Sequence, residues 1–372
     1  TVLAAKFDPK RLEISGTPIP IVENVLGSPI GWSGLSVSAN GSLAYLPGAY
    51  TPVGRNLFWI DRVDGHETPW SVPPRSYNQI LLSPDNSLFL TILPESAATP
   101  VPDRASSSSP SPVLFLGDMA RGTLTPLTDT LPTEFAWMGG GRRAVYTKSD
   151  GSLYSRRVDL SAPEEMLSPP GSLAVITFAP NQMTVVPDGR SIVWAGRDPA
   201  AATGPVGLWM LTGLGSPRGA ADRKIERLAI DLPPGAASYP RVSPDGKLLA
   251  FIMRRGTAGD LWVMPISAPG PAVKVASDIL VTLEEWRGKE LNWRTSTATG
   301  VQVIAGTIET TPDLHPGATR VLYNYSGAAG DTTIEALSLD NRRLAASRAV
   351  VPAPAQINVI LNWVEELRQR VK

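Results

Sequence analysis

The chain has 372 residues, 34 basic against 34 acidic side chains, 42% hydrophobic residues and no cysteine. The balanced charge removes any bulk attraction to nucleic acid or anionic membrane, and the absence of cysteine excludes disulfides, thiolate metal sites and cysteine nucleophiles. Thirty-six prolines and 33 glycines point to many turns rather than long helices. No apolar run reaches the length of a membrane span and no signal peptide is visible, but Thr1 reads as the middle of an element, so upstream targeting or membrane segments are expected to precede it.

In chain order, residues 1–30 predict two strands, Val2–Phe7 and Ile19–Val22, joined through Asp8-Pro9 and Gly16. A repeated unit then begins, clearest at Tyr239-Pro-Arg-Val-Ser-Pro-Asp-Gly-Lys-Leu-Leu-Ala-Phe251, which reads as strand, tight turn and returning strand. Pro244 pre-sets the turn, Asp245 bonds nearby backbone and Gly246 supplies positive φ. Related turns stand at Ser38–Gly41, Ser83–Asn86, Met138–Gly141 and Val186–Gly189, with shortened versions at Trp286–Gly288 and His315–Gly317.

The anchors at 38, 83, 138, 186 and 243 are 45, 55, 48 and 57 residues apart, the length of a four-stranded antiparallel blade. The expected fold is therefore an all-β propeller forming a single domain over 1–372, with seven blades favoured over six. Strands within 1–30 are expected to complete the C-terminal blade and hide its edges. The Ser/Pro-rich stretch 97–112 reads as a loop insertion, and 356–372 as a strand followed by a short polar helix.

The Ser-Pro-Asp-Gly units resemble the TolB-like, WD-type propeller repeat. More narrowly, Phe7-Asp-Pro-Lys-Arg-Leu-Glu13 with Gly16-Thr-Pro18, Ser36–Ser38 through Asn56–Arg62, and Gln356–Trp363 resemble the propeller half of a bacterial family in which it follows a serine/threonine protein kinase domain. The resemblance implies an extracytoplasmic sensor or interaction domain joined to a kinase by one membrane span; without such a span the expected compartment is the cytoplasm. The chain itself carries no Gly-rich nucleotide loop, His-Arg-Asp or Asp-Phe-Gly, so phosphoryl transfer from ATP is not assigned to it.

Propellers line a central channel with the first strand of each blade, and side chains there alternate with period two. Two residues before the anchors stand Ser36, Leu81, Ala136, Thr184, Arg241, Glu285 and Asp313; four before, Gly34, Gln79, Glu134, Gln182, Tyr239, Leu283 and Thr311. Gln79, Gln182, Tyr239 and Arg241 are thus candidate ligand-binding residues. Trp32 and Trp70, beside Gly and Pro, are candidates for an exposed aromatic surface.

Glu134, Glu285 and Asp313, if convergent, would suit Ca²⁺ or another divalent cation, with Asp313 and His315 as catalytic groups. Against this, Arg241 could neutralise Glu285 or Asp313 without a metal, and His315 reads as a turn cap before it reads as a general base or metal ligand. His66 belongs to an exposed hairpin tip. No Gly-x-Ser-x-Gly elbow supports a serine hydrolase. The expected function is a monomeric sensor or interaction propeller that binds a small molecule, peptide or protein at the channel mouth. The alternative is a metal-dependent hydrolase of esters, lactones or phosphotriesters at the same channel.

Overall fold

The computed structural model describes residues 2–23, 25, 34–38, 41–47, 54–94, 112–175, 182–198, 204–216, 219–230, 232, 235–256, 258–266, 270–279, 283–297, 300–325, 332–338, 340–350 and 356–370. The loop expected at 97–112 lies outside them, save for Pro112, which opens a strand. Where the repeats predict one domain, the chain divides into two compact units, Gly54–Ala349 and a smaller one formed by Thr1–Val53 with Val350–Lys372.

The larger unit holds, among its described residues, six antiparallel sheets of blade form. From innermost strand outward, the first is Asn78–Leu82, Leu88–Pro94, Pro112–Asp118 and Thr123–Pro126. The second is Glu134–Met138, Arg143–Thr147, Leu153–Arg157 and Glu165–Ser168. The third is Met183–Val185, Ile192–Arg197, Gly207–Thr212 and Lys224–Arg227, with Ala174–Val175 also pairing to Ile192–Arg197. Ala236–Val242, Leu248–Arg255, Ala258–Pro265 and Val273–Ile279 make the fourth. Leu283–Arg287, Glu290–Thr297, Gly300–Glu309 and His315–Tyr325 make the fifth.

The sixth sheet joins distant parts of the chain: Thr332–Leu337 and Arg343–Ala349 pair with Arg55–Asp61 and then Glu67–Pro69. This corrects the expectation that residues 1–30 supply the completing strands. Interior strands of a packed sheet need apolar side chains on both faces. Leu57, Phe58 and Trp59 meet that need, all buried in succession. Val2–Asp8 and Glu13–Val22 instead pair with each other across a short turn in which the Asp8 carboxylate accepts the Lys10 and Arg11 amides.

Each sheet buries its two faces against its neighbours, so the hydrophobic clusters fall between sheets. Leu114 and Leu127 meet Phe135 and Tyr146; Val145 and Leu153 meet Ile192 and Trp194; Val193 and Leu208 meet Leu249 and Phe251. Ile252 and Leu261 pack with Leu291 and Trp293, and Tyr323 with Phe58 and Ile334. A further cluster joins the sixth sheet to the first, through Leu57 and Trp59 against Phe89 and Phe115. Trp70 belongs to this core, its ring 5.1 Å from both Trp59 and Phe89, and is not the surface residue that its Pro neighbour implied.

The anchor turns repeat one hydrogen-bond pattern. In Ser83–Leu88, Ser243–Leu248 and Ser338–Arg343 the serine hydroxyl donates to the aspartate two residues on and accepts the amide five residues on. Gly246, Asn86 and Asn341 take the positive φ that closes each turn. Hydrogen bonds from Ser83, Ser243 and Ser338 hold the Asp85, Asp245 and Asp340 carboxyls below the usual range. A depressed folded-state pKa contributes stability that is present above the unfolded value of about 4 and is lost as pH falls through the folded values. Acid unfolding should therefore be shallower in Asp245→Asn than in the wild type, as followed by tryptophan fluorescence below about pH 4. Identical acid titrations would contradict this role.

The smaller unit contains the 2–22 ribbon, a sheet of Leu35–Val37, Leu43–Tyr45 and Asn358–Ile360, and a helix at Trp363–Arg370. Ile21, Val22, Leu43 and Trp363 form its core. No helix among the described residues is long and apolar enough to cross a membrane.

Candidate functional site

The innermost strands of all six sheets in the larger unit line one cavity of about 310 Å³. Leu81, Ala136, Thr184, Arg241 and Glu285, the residues two before the anchors, stand on its wall, as does Ala336 from the sixth sheet. The residues one before, among them Trp137, Val185, Val242 and Trp286, reach the same mouth. Residues one and two before the turn therefore share the wall, where strict alternation would give the former to packing between sheets, and Ser36 and Asp313 do not line it.

Four residues before the turn the reading fails, and at two positions the reason is local. Gln79 and Tyr239 have φ of 59° and 53°, and the pairing of their strands shifts between Asn78 and Leu81 and between Ser238 and Arg241. A bulge of this kind re-aims the side chain. Glu134, Gln182 and Tyr239 are buried, and they lie outside the cavity wall. Glu134 Oε2 accepts the Gln182 amide at 3.0 Å, and Gln182 Oε1 accepts the Tyr239 amide at 3.0 Å. Three predicted ligand or metal residues therefore clasp the second, third and fourth sheets in sequence. Gln79 is half-buried in the first.

Arg241 and Glu285 meet at the cavity. Arg241 is 4% exposed; its Nε lies 3.1 Å from Glu285 Oε1 and its Nη1 donates to the Pro240 carbonyl at 2.8 Å. The Glu285 side chain is 44% exposed. Trp137 Nε1 donates to the Leu81 carbonyl and Trp286 Nε1 to that of Arg241, so each indole ties its sheet to the preceding one. Arg287 turns its guanidinium onto the carbonyls of Trp286, Leu337 and Ser338. Glu335 also lines the wall and accepts the Ser347 hydroxyl.

Asp313 and His315 are elsewhere. His315 begins the outermost strand of the fifth sheet, pairs with Glu309 and is exposed, its Nδ1 donating to the Asp313 carbonyl at 2.8 Å. His-Pro-Gly mimics an anchor turn in composition, but the sixth anchor is Ser338-Leu-Asp-Asn341. Its signal was available, because Ser-x-Asp-Asn also stands at Ser83–Asn86. Missing it hid Ala336, two residues before that turn, from the predicted lining.

The cation site expected from Glu134, Glu285 and Asp313 does not assemble. One carboxylate lies in a sheet–sheet clasp, one on Arg241 and one in an exposed hairpin turn. Among the described residues, no group of three or more His, Asp or Glu side chains is placed to hold a metal ion. Trp32 lies outside the described residues.

These sheets define an all-β protein of propeller type, distantly similar in structure to β-propeller proteins. No protein-family description matches the chain, and no curated protein matches it. Among solved structures, a putative TolB from Agrobacterium tumefaciens is 17% identical, covering 87% of this chain and 93% of its own, with a TM-score of 0.41. A chain of a nidogen/laminin complex is 11% identical over 83% of this chain and 99% of its own, with a TM-score of 0.47. One from a mitotic checkpoint complex is 14% identical over 94% and 100%, with a TM-score of 0.44.

Proposed function

We infer that this protein is a binding module whose larger unit takes a small molecule, or a side chain of a partner, at the mouth of the central cavity. The observation that carries the reading is the convergence of six innermost strands on one space of about 310 Å³, at the lower end of small-molecule sites. Its wall mixes apolar groups with a few fixed polar ones, the composition that orients a ligand. The likeness of the Phe7–Glu13 and Gln356–Trp363 segments to kinase-associated propellers supports a sensor role, and with it an extracytoplasmic location.

The test is a ligand-observed NMR screen of a fragment library against the wild type, Thr184→Ala and Thr184→Trp. Thr184 lines the cavity without belonging to an inter-sheet cluster, so an indole there fills the space while the sheets keep their packing. Hits should bind wild type and Thr184→Ala and be lost from Thr184→Trp, with thermal melting unchanged. Hits that bind all three alike, or no hits at all, would overturn the reading.

A further inference from the structure

We propose that the cavity selects a cationic group, an ammonium or guanidinium carried on an apolar stem, with Glu285 as its acceptor. This rests on the binding reading above and names the ligand class. The charges of the lining do not decide the matter, since Arg241 and Arg287 balance Glu285 and Glu335. What decides it is which polar atoms the fold leaves open.

The donors are already engaged. Both indole N–H groups donate to carbonyls of the preceding sheet, at 3.0 Å for Trp137 and 2.9 Å for Trp286. Arg287 donates through all three of its nitrogens to backbone carbonyls. Arg241 is almost wholly buried and directed at Pro240 and Glu285. An anionic ligand that drew these donors away would leave backbone carbonyls unpaired, which is unfavourable.

The acceptor side is different. Arg241 Nε approaches Glu285 at Oε1, no hydrogen bond to Oε2 is found among the described residues, and the side chain is nearly half exposed at the mouth. A cation there gains a charge-assisted hydrogen bond without disturbing the Arg241 pair. The opposite wall, Leu81, Ala136, Met183 and Val185, offers a short alkyl chain an apolar surface. The faces of Trp137 and Trp286 can add cation–π attraction. A free amine and a lysine side chain share this chemistry.

The experiment is calorimetric titration of the full chain with hexylammonium, hexan-1-ol and hexanoate, and with the capped peptide acetyl-Ala-Lys-Ala-amide, on wild type and Glu285→Gln. Hexylammonium should bind better than hexanol and hexanoate, and Glu285→Gln should weaken it about tenfold, the value of one charge-assisted contact. Gln keeps an acceptor for Arg241, so a purely structural role would weaken hexanol equally; the proposal requires hexanol binding to be unchanged. Peptide binding tighter than hexylammonium would assign the cation to a protein partner, and the reverse to a small molecule. Equal affinity for the three hexyl probes, preference for hexanoate, or no effect of Glu285→Gln would overturn the cation assignment. Fragment hits lost in Thr184→Trp would then still leave the binding reading standing.

Discussion

Phe89→Ala is expected to destabilise the larger unit by about 3–5 kcal/mol, the range for emptying a large aromatic site in a close-packed core. Phe89 is fully buried between the first and sixth sheets, with Trp70 at 5.1 Å and Tyr77 at 6.1 Å between ring centroids. Its ring fills the space left by its strand partner Gly117, where an added Cβ would come within 2.1 Å of it. The site is hemmed by rigid aromatic rings and two sheets, so little of the cavity can collapse. Urea unfolding followed by far-ultraviolet circular dichroism gives the value directly. A loss below about 1 kcal/mol would mean that the sheets do not share this core.

Gln182→Met should cost about 1–3 kcal/mol despite preserving side-chain volume, because it leaves a buried amide without its acceptor. The left-handed backbone at Tyr239 falls where pairing with the neighbouring strand shifts, and the Tyr239 amide is satisfied by Gln182 Oε1. Methionine fills the site but cannot accept that bond with comparable strength. The same urea experiment reports the loss, and faster hydrogen exchange at the Tyr239 amide should locate it. A variant as stable as wild type, with unchanged exchange there, would show that the clasp contributes nothing.

Much of this architecture was legible in the turns. Ser243-Pro-Asp-Gly246 and Ser83-Pro-Asp-Asn86 announce themselves because a hydroxyl, a carboxylate and a residue tolerant of positive φ must occur at fixed offsets to make the same bonds. Close to the turn, residues one and two before it both reach the cavity, so alternation alone does not pick out the lining. Farther from the turn, the left-handed residues at Gln79 and Tyr239 break the alternation, and no local signal marks a bulge at those positions. Glu134 and Gln182 read as ligand residues because nothing in the sequence shows that their side chains bond the backbone of the next sheet.

The sixth sheet was hidden by sequence distance. Pairing of Arg55–Asp61 with Arg343–Ala349 depends on which apolar strand fits between two others, and the first thirty residues looked equally suited. His315 misled for a simpler reason: Pro and Gly mark the start of an outer strand as readily as an anchor turn. The Arg241–Glu285 contact was foreseeable as a charge pair, but its geometry, a buried guanidinium beneath a half-exposed carboxylate, came only with the fold.

The most direct measurement is the indole N–H spectrum of nitrogen-15-labelled protein during titration with fragment hits. The account predicts that Trp137 and Trp286, which line the cavity, shift and saturate together, while Trp194, buried in the core between the second and third sheets, stays still. Shifts confined to Trp59 and Trp70, with Trp137 and Trp286 unmoved, would place binding away from the cavity and contradict it.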